Sequence, residues 1–278
     1  MSQQRGISRA FDVPPLTPGF VGPGHLAASV VSAENFEMTD PFILLMDDHL
    51  DIGNRSVGGP HPHAGFETVT LILDGAIYGR DEGGALNAGE VQWMTAGSGV
   101  IHNEDVRTKG KMRLLQLWLT LPKKERWTEP GFQVIHSDSI PVRHESGAEI
   151  RVYSGSSGSL HSGTRNYVPV TMVEINLESG ASAEQEVPAS YNGFAFVIGG
   201  SDRRDQAEHG SGGLARSSDW QRCERHTCGR WRIGSATDLV RGTASRRPDR
   251  FLRSIYWRHE ARHCPTLCRV SGRTVSSA

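Results

Sequence analysis

At 278 residues, 37% of them hydrophobic, and with a formal net charge of -1, the chain is long enough for one large or two ordinary domains. Its 32 glycines fit a turn-rich β protein, and no apolar run is long enough to cross a bilayer as a helix, which excludes the helical membrane classes. The first 24 residues show no basic stretch followed by an apolar one, so the expected location is cytoplasmic; all four cysteines fall after residue 200, leaving the first 200 residues without a disulfide framework.

The total charge hides an asymmetry. Residues 1–200 hold 14 Lys and Arg against 23 Asp and Glu, a net of -9 that speaks against direct nucleic-acid contact. Residues 201–278 hold 16 Arg, no Lys and 8 acids, a net of +8.

In chain order, residues 6–26 are rich in Gly and Pro and read as an extended arm. Asp40-Pro41-Phe42-Ile43-Leu44-Leu45-Met46-Asp47-Asp48 is a short apolar run bounded by a proline and acids, the pattern of a buried strand. Pro60-His61-Pro62-His63 follows. In extended backbone, side chains at i and i+2 share a face, so His61 and His63 point one way. Residues 67–73 alternate Val69, Leu71 and Leu73 against Thr68, Thr70 and Ile72, and Asp74-Gly75 closes the strand as a turn. Turn signals recur at 81–84 and 87–89. A strand over 90–94 then leads through Thr95-Ala96-Gly97-Ser98-Gly99, whose glycines suit positive φ, into Val100-Ile101-His102. His102 and Glu104 form a second same-face pair.

Two such pairs on neighbouring strands make a four-pronged site. Three imidazoles and one carboxylate suit Fe(II), Ni(II), Cu(II), Mn(II) or Zn(II), with positions left open for substrate or water. One H-x-H alone is weak, because surface and core histidines are common; the second pair is what points to a metal. Residues 113–121 alternate cleanly, with Leu115, Leu117, Leu119 and Leu121 on one face and Leu114, Gln116, Trp118 and Thr120 on the other. Several short strands with glycine punctuation predict a small barrel or sandwich. Prolines bracket a charged stretch, so a linker is expected over 122–131, between a barrel at 1–121 and a second at 132–200.

His61-Pro62-His63-Ala64-Gly65-Phe66-Glu67-Thr68-Val69 and Gln92-Trp93-Met94-Thr95-Ala96-Gly97-Ser98-Gly99-Val100-Ile101-His102-Asn103-Glu104 resemble the pirin family of the cupin superfamily, as does Asp40-Pro41-Phe42. The resemblance covers roughly residues 15–200. It implies an all-β fold of tandem cupin (double-stranded β-helix) barrels, a bicupin, with the second barrel incomplete here. It implies a metal in the N-terminal barrel, Fe(II) or another divalent ion (Ni, Cu, Mn, Zn, Co), on His61, His63, His102 and Glu104. Glu67 sits where many other cupins place a ligand and is read as supporting the site or the fold. Ala64 occupies a position often basic in the family.

The activity implied is that of a quercetin 2,3-dioxygenase, opening a flavonol with O2. A net positive site stabilises the flavonol enolate, and Glu104 is the candidate base for the 3-hydroxyl proton. Phe42, Phe66, Trp93 and Met94 are candidates for a substrate wall, set against a plain core role. The alternative implied is a non-enzymatic, iron-binding, redox-sensing regulatory protein that binds a transcription factor or enzyme partner. His136, His144 and His161 lack H-x-H pairing, so no second metal is expected.

After Gly200 the resemblance stops where closing strands are due. Leu, Ile, Val and Phe make only 10 of the 78 residues over 201–278, under the roughly 20% below which charged segments tend not to fold. Cys223, Cys228, Cys264 and Cys268 have C-x4-C and C-x3-C spacings that suit structural zinc poorly. The +8 charge also allows a nucleic-acid-binding tail. The preferred expectation is an aberrant, disordered tail produced by a reading-frame shift.

Overall fold

The computed structural model describes residues 3–4, 9–53, 59–78, 84–103, 107–108, 110–199, 213–216, 229–234 and 251–258. Two seven-stranded antiparallel sheets dominate it. The first runs, in spatial order, Gly131–Ile135, Val91–Thr95, Phe66–Asp74, Met112–Thr120, Phe42–Leu50, His25–Val31, Thr17–Pro18. Small sheets accompany it: Pro60–His63 with Val100–Asn103, and Ala76–Tyr78 between Arg107–Thr108 and Ala85–Asn87.

Period-2 alternation decides what each face of the first sheet buries. Leu115, Leu117, Leu119 and Leu121 all lie in one core with Val69, Leu71, Trp93, Tyr153, Met172 and Phe194, so this face packs against the second barrel. Burying each such leucine stabilises by about 2 kcal/mol relative to exposure. The opposite face supplies Ile72, Met112 and Leu114 to a separate core with Ile77 and Leu86 from the small three-stranded sheet. Gln116, also on that face, accepts from Thr70 Oγ1 at 3.1 Å. The two faces of 113–121 do meet different neighbours.

Gly131–Ile135, expected to open the second barrel, is instead the edge strand of the first sheet, with Phe132 opposite Met94 and Val134 opposite Gln92. Its short β pattern carries no mark of which sheet it joins, and Ile135 meets the inter-barrel core while Val134 packs on the inner one. The arm is also more structured than its composition suggests. Thr17–Pro18 and His25–Val31 belong to the first sheet, while Arg9–Asp12 pairs with Gly213–Arg216 in the second.

The second large sheet runs Val142–Glu145, Ala148–Ser154, Val170–Leu177, Phe251–Arg258, Gly193–Val197, Gly213–Arg216, Arg9–Asp12. Where a disordered tail was expected, Phe251–Arg258 lies between Val170–Leu177 and Gly193–Val197, and Gly229–Gly234 pairs with Ser182–Val187. Phe251, Ile255, Tyr256 and Trp257 are strong strand formers, a local signal diluted by the segment's overall composition. Cys223, Cys228, Cys264 and Cys268 lie outside the described residues. Arg113 ties the barrels together: it binds Asp47 through two bonds of 2.8 and 2.7 Å and donates to the Ile198 carbonyl at 3.4 Å. Among the described residues no helix is long and apolar enough to cross a membrane.

Candidate metal centre

Pro60–His63 and Val100–Asn103 pair antiparallel, with His61 opposite His102 and His63 opposite Val100. Same-face alternation and this register bring three imidazoles together. Their ring centroids are 4.6 Å (His61 to His63), 5.4 Å (His61 to His102) and 5.6 Å (His63 to His102) apart. Imidazoles bound about 2.1 Å from one ion, at about 90–110° to each other, place their centroids about 4.6–5.3 Å apart. The observed spacing falls in or close to that range. His63 and His102 are buried, and His61 is half-buried.

His61 Nδ1 lies 2.9 Å from the Gly59 carbonyl. A carbonyl only accepts, so Nδ1 carries the proton and Nε2 keeps its lone pair, the tautomer a metal ligand needs. The donor chemistry therefore fits a divalent transition metal. In the orientations described, however, no three His, Cys, Asp or Glu side chains among the described residues form a group that could hold an ion. Glu104, the expected fourth ligand, lies outside the described residues. Ring spacing follows from the strand register, whereas an imidazole turns readily about its last side-chain bond.

Two glycine turns position the histidine strands. Gly65 donates its N–H to the Gly97 carbonyl at 2.8 Å, and Leu121 donates to the Gly65 carbonyl at 3.1 Å. Gly97 has φ of 50°, and a Cβ there would stand 2.1 Å from the Thr128 carbonyl oxygen. Only glycine fits this approach.

Aromatic rings back the imidazoles. His63 meets Phe66 edge-on at 5.2 Å and Trp118 at 5.3 Å, and Phe66 stacks on Trp118 at 4.6 Å with planes 23° apart. Phe132 stands 6.0 Å from His102. Of the four residues expected to form a substrate wall, Phe66 is at the histidines. Phe42 and Trp93 are corrected to the inter-barrel core, Phe42 edge-on to Phe194 at 5.0 Å. Met94 is only 1% exposed, on the strand face opposite Trp93. Trp118 and Phe132 were missed: Trp118 shared a face with Leu114 and Thr120 in the alternation, while nothing local marked Phe132.

Glu67 belongs to the other face of the strand that carries Phe66. It is wholly buried and accepts from Thr95 Oγ1 at 2.9 Å, from the Tyr167 N–H at 3.0 Å and from the Val168 N–H at 3.4 Å. Burial pushes its pKa up, and the hydrogen bonds from Tyr167, Thr95 and Val168 pull partly back. Its role is to fasten the second barrel to the first.

A family model described as Pirin matches residues 25–119. A putative pirin-like protein of Arabidopsis thaliana is 33% identical over 227 residues, 80% of this chain and 78% of its own length. The chain belongs to the pirin family. Pirin-1 of Arabidopsis thaliana is 36% identical over 185 residues, 65% of this chain and 63% of that protein, so the chain spans less than two thirds of this pirin's length. The crystal structure of GK1651 from Geobacillus kaustophilus is 36% identical, with a TM-score of 0.76 over 93% of this chain and 97% of that one. A quercetin 2,3-dioxygenase structure from Acinetobacter baumannii superposes with a TM-score of 0.73 at 23% identity, covering 92% and 87%. The Escherichia coli pirin YhhW, solved in complex with nickel(II), superposes with a TM-score of 0.59 at 17% identity, covering 90% and 98%. At those identities the last two show the fold alone, an all-β one.

Proposed function

We propose that this pirin is a metal-dependent dioxygenase that opens a flavonol of the quercetin type with O2. The observation that carries the reading is the triangle of His61, His63 and His102 backed by the stacked Phe66 and Trp118 rings. The fold shared with a quercetin 2,3-dioxygenase supports it. His61, His63, His102 and Glu104 would hold the ion, with Fe(II) the first choice and nickel the ion seen with the Escherichia coli pirin. A divalent ion kept net positive by three neutral imidazoles and one carboxylate supplies the charge that favours a flavonol bound as its enolate.

This chain's residues do the remainder. Phe66 and Trp118 present a flat apolar wall to the aromatic rings. Glu104 takes the 3-hydroxyl proton. His63 and His102 are themselves buried, which limits bulk water at the reacting face.

Oxygen uptake by the iron-loaded protein with quercetin tests this. Uptake in step with quercetin loss, abolished in His61→Ala, is expected. Quercetin bound without uptake would sink the enzyme reading in favour of an iron-dependent regulatory protein that engages a protein partner.

A further inference from the structure

Beside the imidazoles, and lined by none of them, a cavity of about 490 Å³ opens where the edge strand of the first sheet meets residues 164–167 of the second barrel. Small-molecule sites span about 300–1,000 Å³, so this volume is of the right size. Thr95, Glu129 and Gln133 line it from the first barrel, and Thr164, Arg165 and Tyr167 from the second. Phe132 also lines it, next to the His102 ring.

The wall is pinned through its backbone. Gln133 Oε1 accepts from the Arg165 N–H at 3.1 Å, and Gln133 Nε2 donates to the Arg165 carbonyl. Thr164 Oγ1 donates to the Tyr153 carbonyl at 2.6 Å, and the Tyr167 N–H donates to buried Glu67. Three side chains are left to meet a ligand. The Arg165 guanidinium and the Glu129 carboxylate have no ion-pair partner among the described residues, and Tyr167 is 43% exposed. The two opposite charges come from opposite barrels.

We propose that this seam cavity binds a small aromatic carboxylate bearing a hydroxyl on the far side of its ring. The planar guanidinium of Arg165 matches a carboxylate through two parallel hydrogen bonds, and Tyr167 offers a ring face. Glu129 accepts from the hydroxyl. A pinned backbone keeps the ordering cost low. The site uses none of the histidines and stands apart from the dioxygenase reading.

Calorimetric titration of the full chain, without added metal, with 4-hydroxybenzoate, benzoate and 4-hydroxybenzyl alcohol tests it. Arg165→Gln is expected to weaken 4-hydroxybenzoate at least tenfold, and 4-hydroxybenzyl alcohol to bind the wild type as weakly. Glu129→Gln should remove the advantage of 4-hydroxybenzoate over benzoate. His61→Ala should leave all three titrations as in the wild type. Unchanged binding in Arg165→Gln overturns the proposal, because that exposed residue can be replaced without disturbing the core. Loss of binding in His61→Ala overturns it equally, by moving the ligand to the imidazoles.

Discussion

A single carbonyl sets the tautomer of His61, alternation along the same strand sets His63 beside it, and the register with the second strand sets His102 opposite. If His61, His63, His102 and Glu104 hold the ion as proposed, removing one imidazole weakens that hold. Metal analysis of purified His61→Ala and His102→Ala should therefore find iron per chain at least tenfold below the wild type. Wild-type metal content in both variants would refute the site. Glu67 carries a different expectation. Its carboxyl is held above the usual range, chiefly by burial, so the folded state binds the proton more tightly than the unfolded one. Its stabilising contribution is complete below the unfolded pKa and is lost as pH rises through the folded pKa. In urea unfolding across that window, the advantage of the wild type over Glu67→Gln should shrink as pH climbs; an advantage that grows reverses the sign. Glu67→Ala strands the Tyr167 and Val168 amides in a dry site and should cost about 2–4 kcal/mol.

At the scale of elements, the turn over 95–99 matters more than its lack of side-chain chemistry suggests. It joins Val91–Thr95 to Val100–Asn103, and Ser98 donates to the Thr128 carbonyl at 2.8 Å while Gly97 accepts from Gly65. Gly97→Ala adds a positive-φ strain and a clash with the Thr128 backbone, which must shift to admit the methyl group. Loss of about 2 kcal/mol, a fall of about 5 °C in Tm, and a lower iron content are expected; an unchanged melting curve would show that the Thr128 segment moves freely. The same scale shows what was legible. The alternation of 113–121 announced two faces with different neighbours, and the faces are the inter-barrel core and the barrel interior. It did not announce that Trp118, on the less apolar face, stands at His63.

At the scale of the whole molecule, the largest core among the described residues lies between the barrels rather than within either one. Arg113, Glu67 and Gln133 add polar ties across the same seam. The segment beyond residue 200 contributes strands to the second barrel, yet its arginine-rich, lysine-free composition departs from the rest of the chain. Translating the coding sequence past codon 200 in the other two frames checks the frame-shift reading. One frame should return glycine-punctuated β pattern; its absence from both rejects the idea.

Alternation and turn chemistry act over a few neighbouring residues, so the sequence by itself determined the paired histidines, the strand faces and the glycine turns. Strand partners, by contrast, are chosen by packing between segments far apart in the chain, which local pattern does not encode. Only the tertiary structure could decide that Gly131–Ile135 completes the first sheet and brings Phe132 to His102, that Trp93 and Phe42 face the other barrel, and that Glu67 fastens the two together.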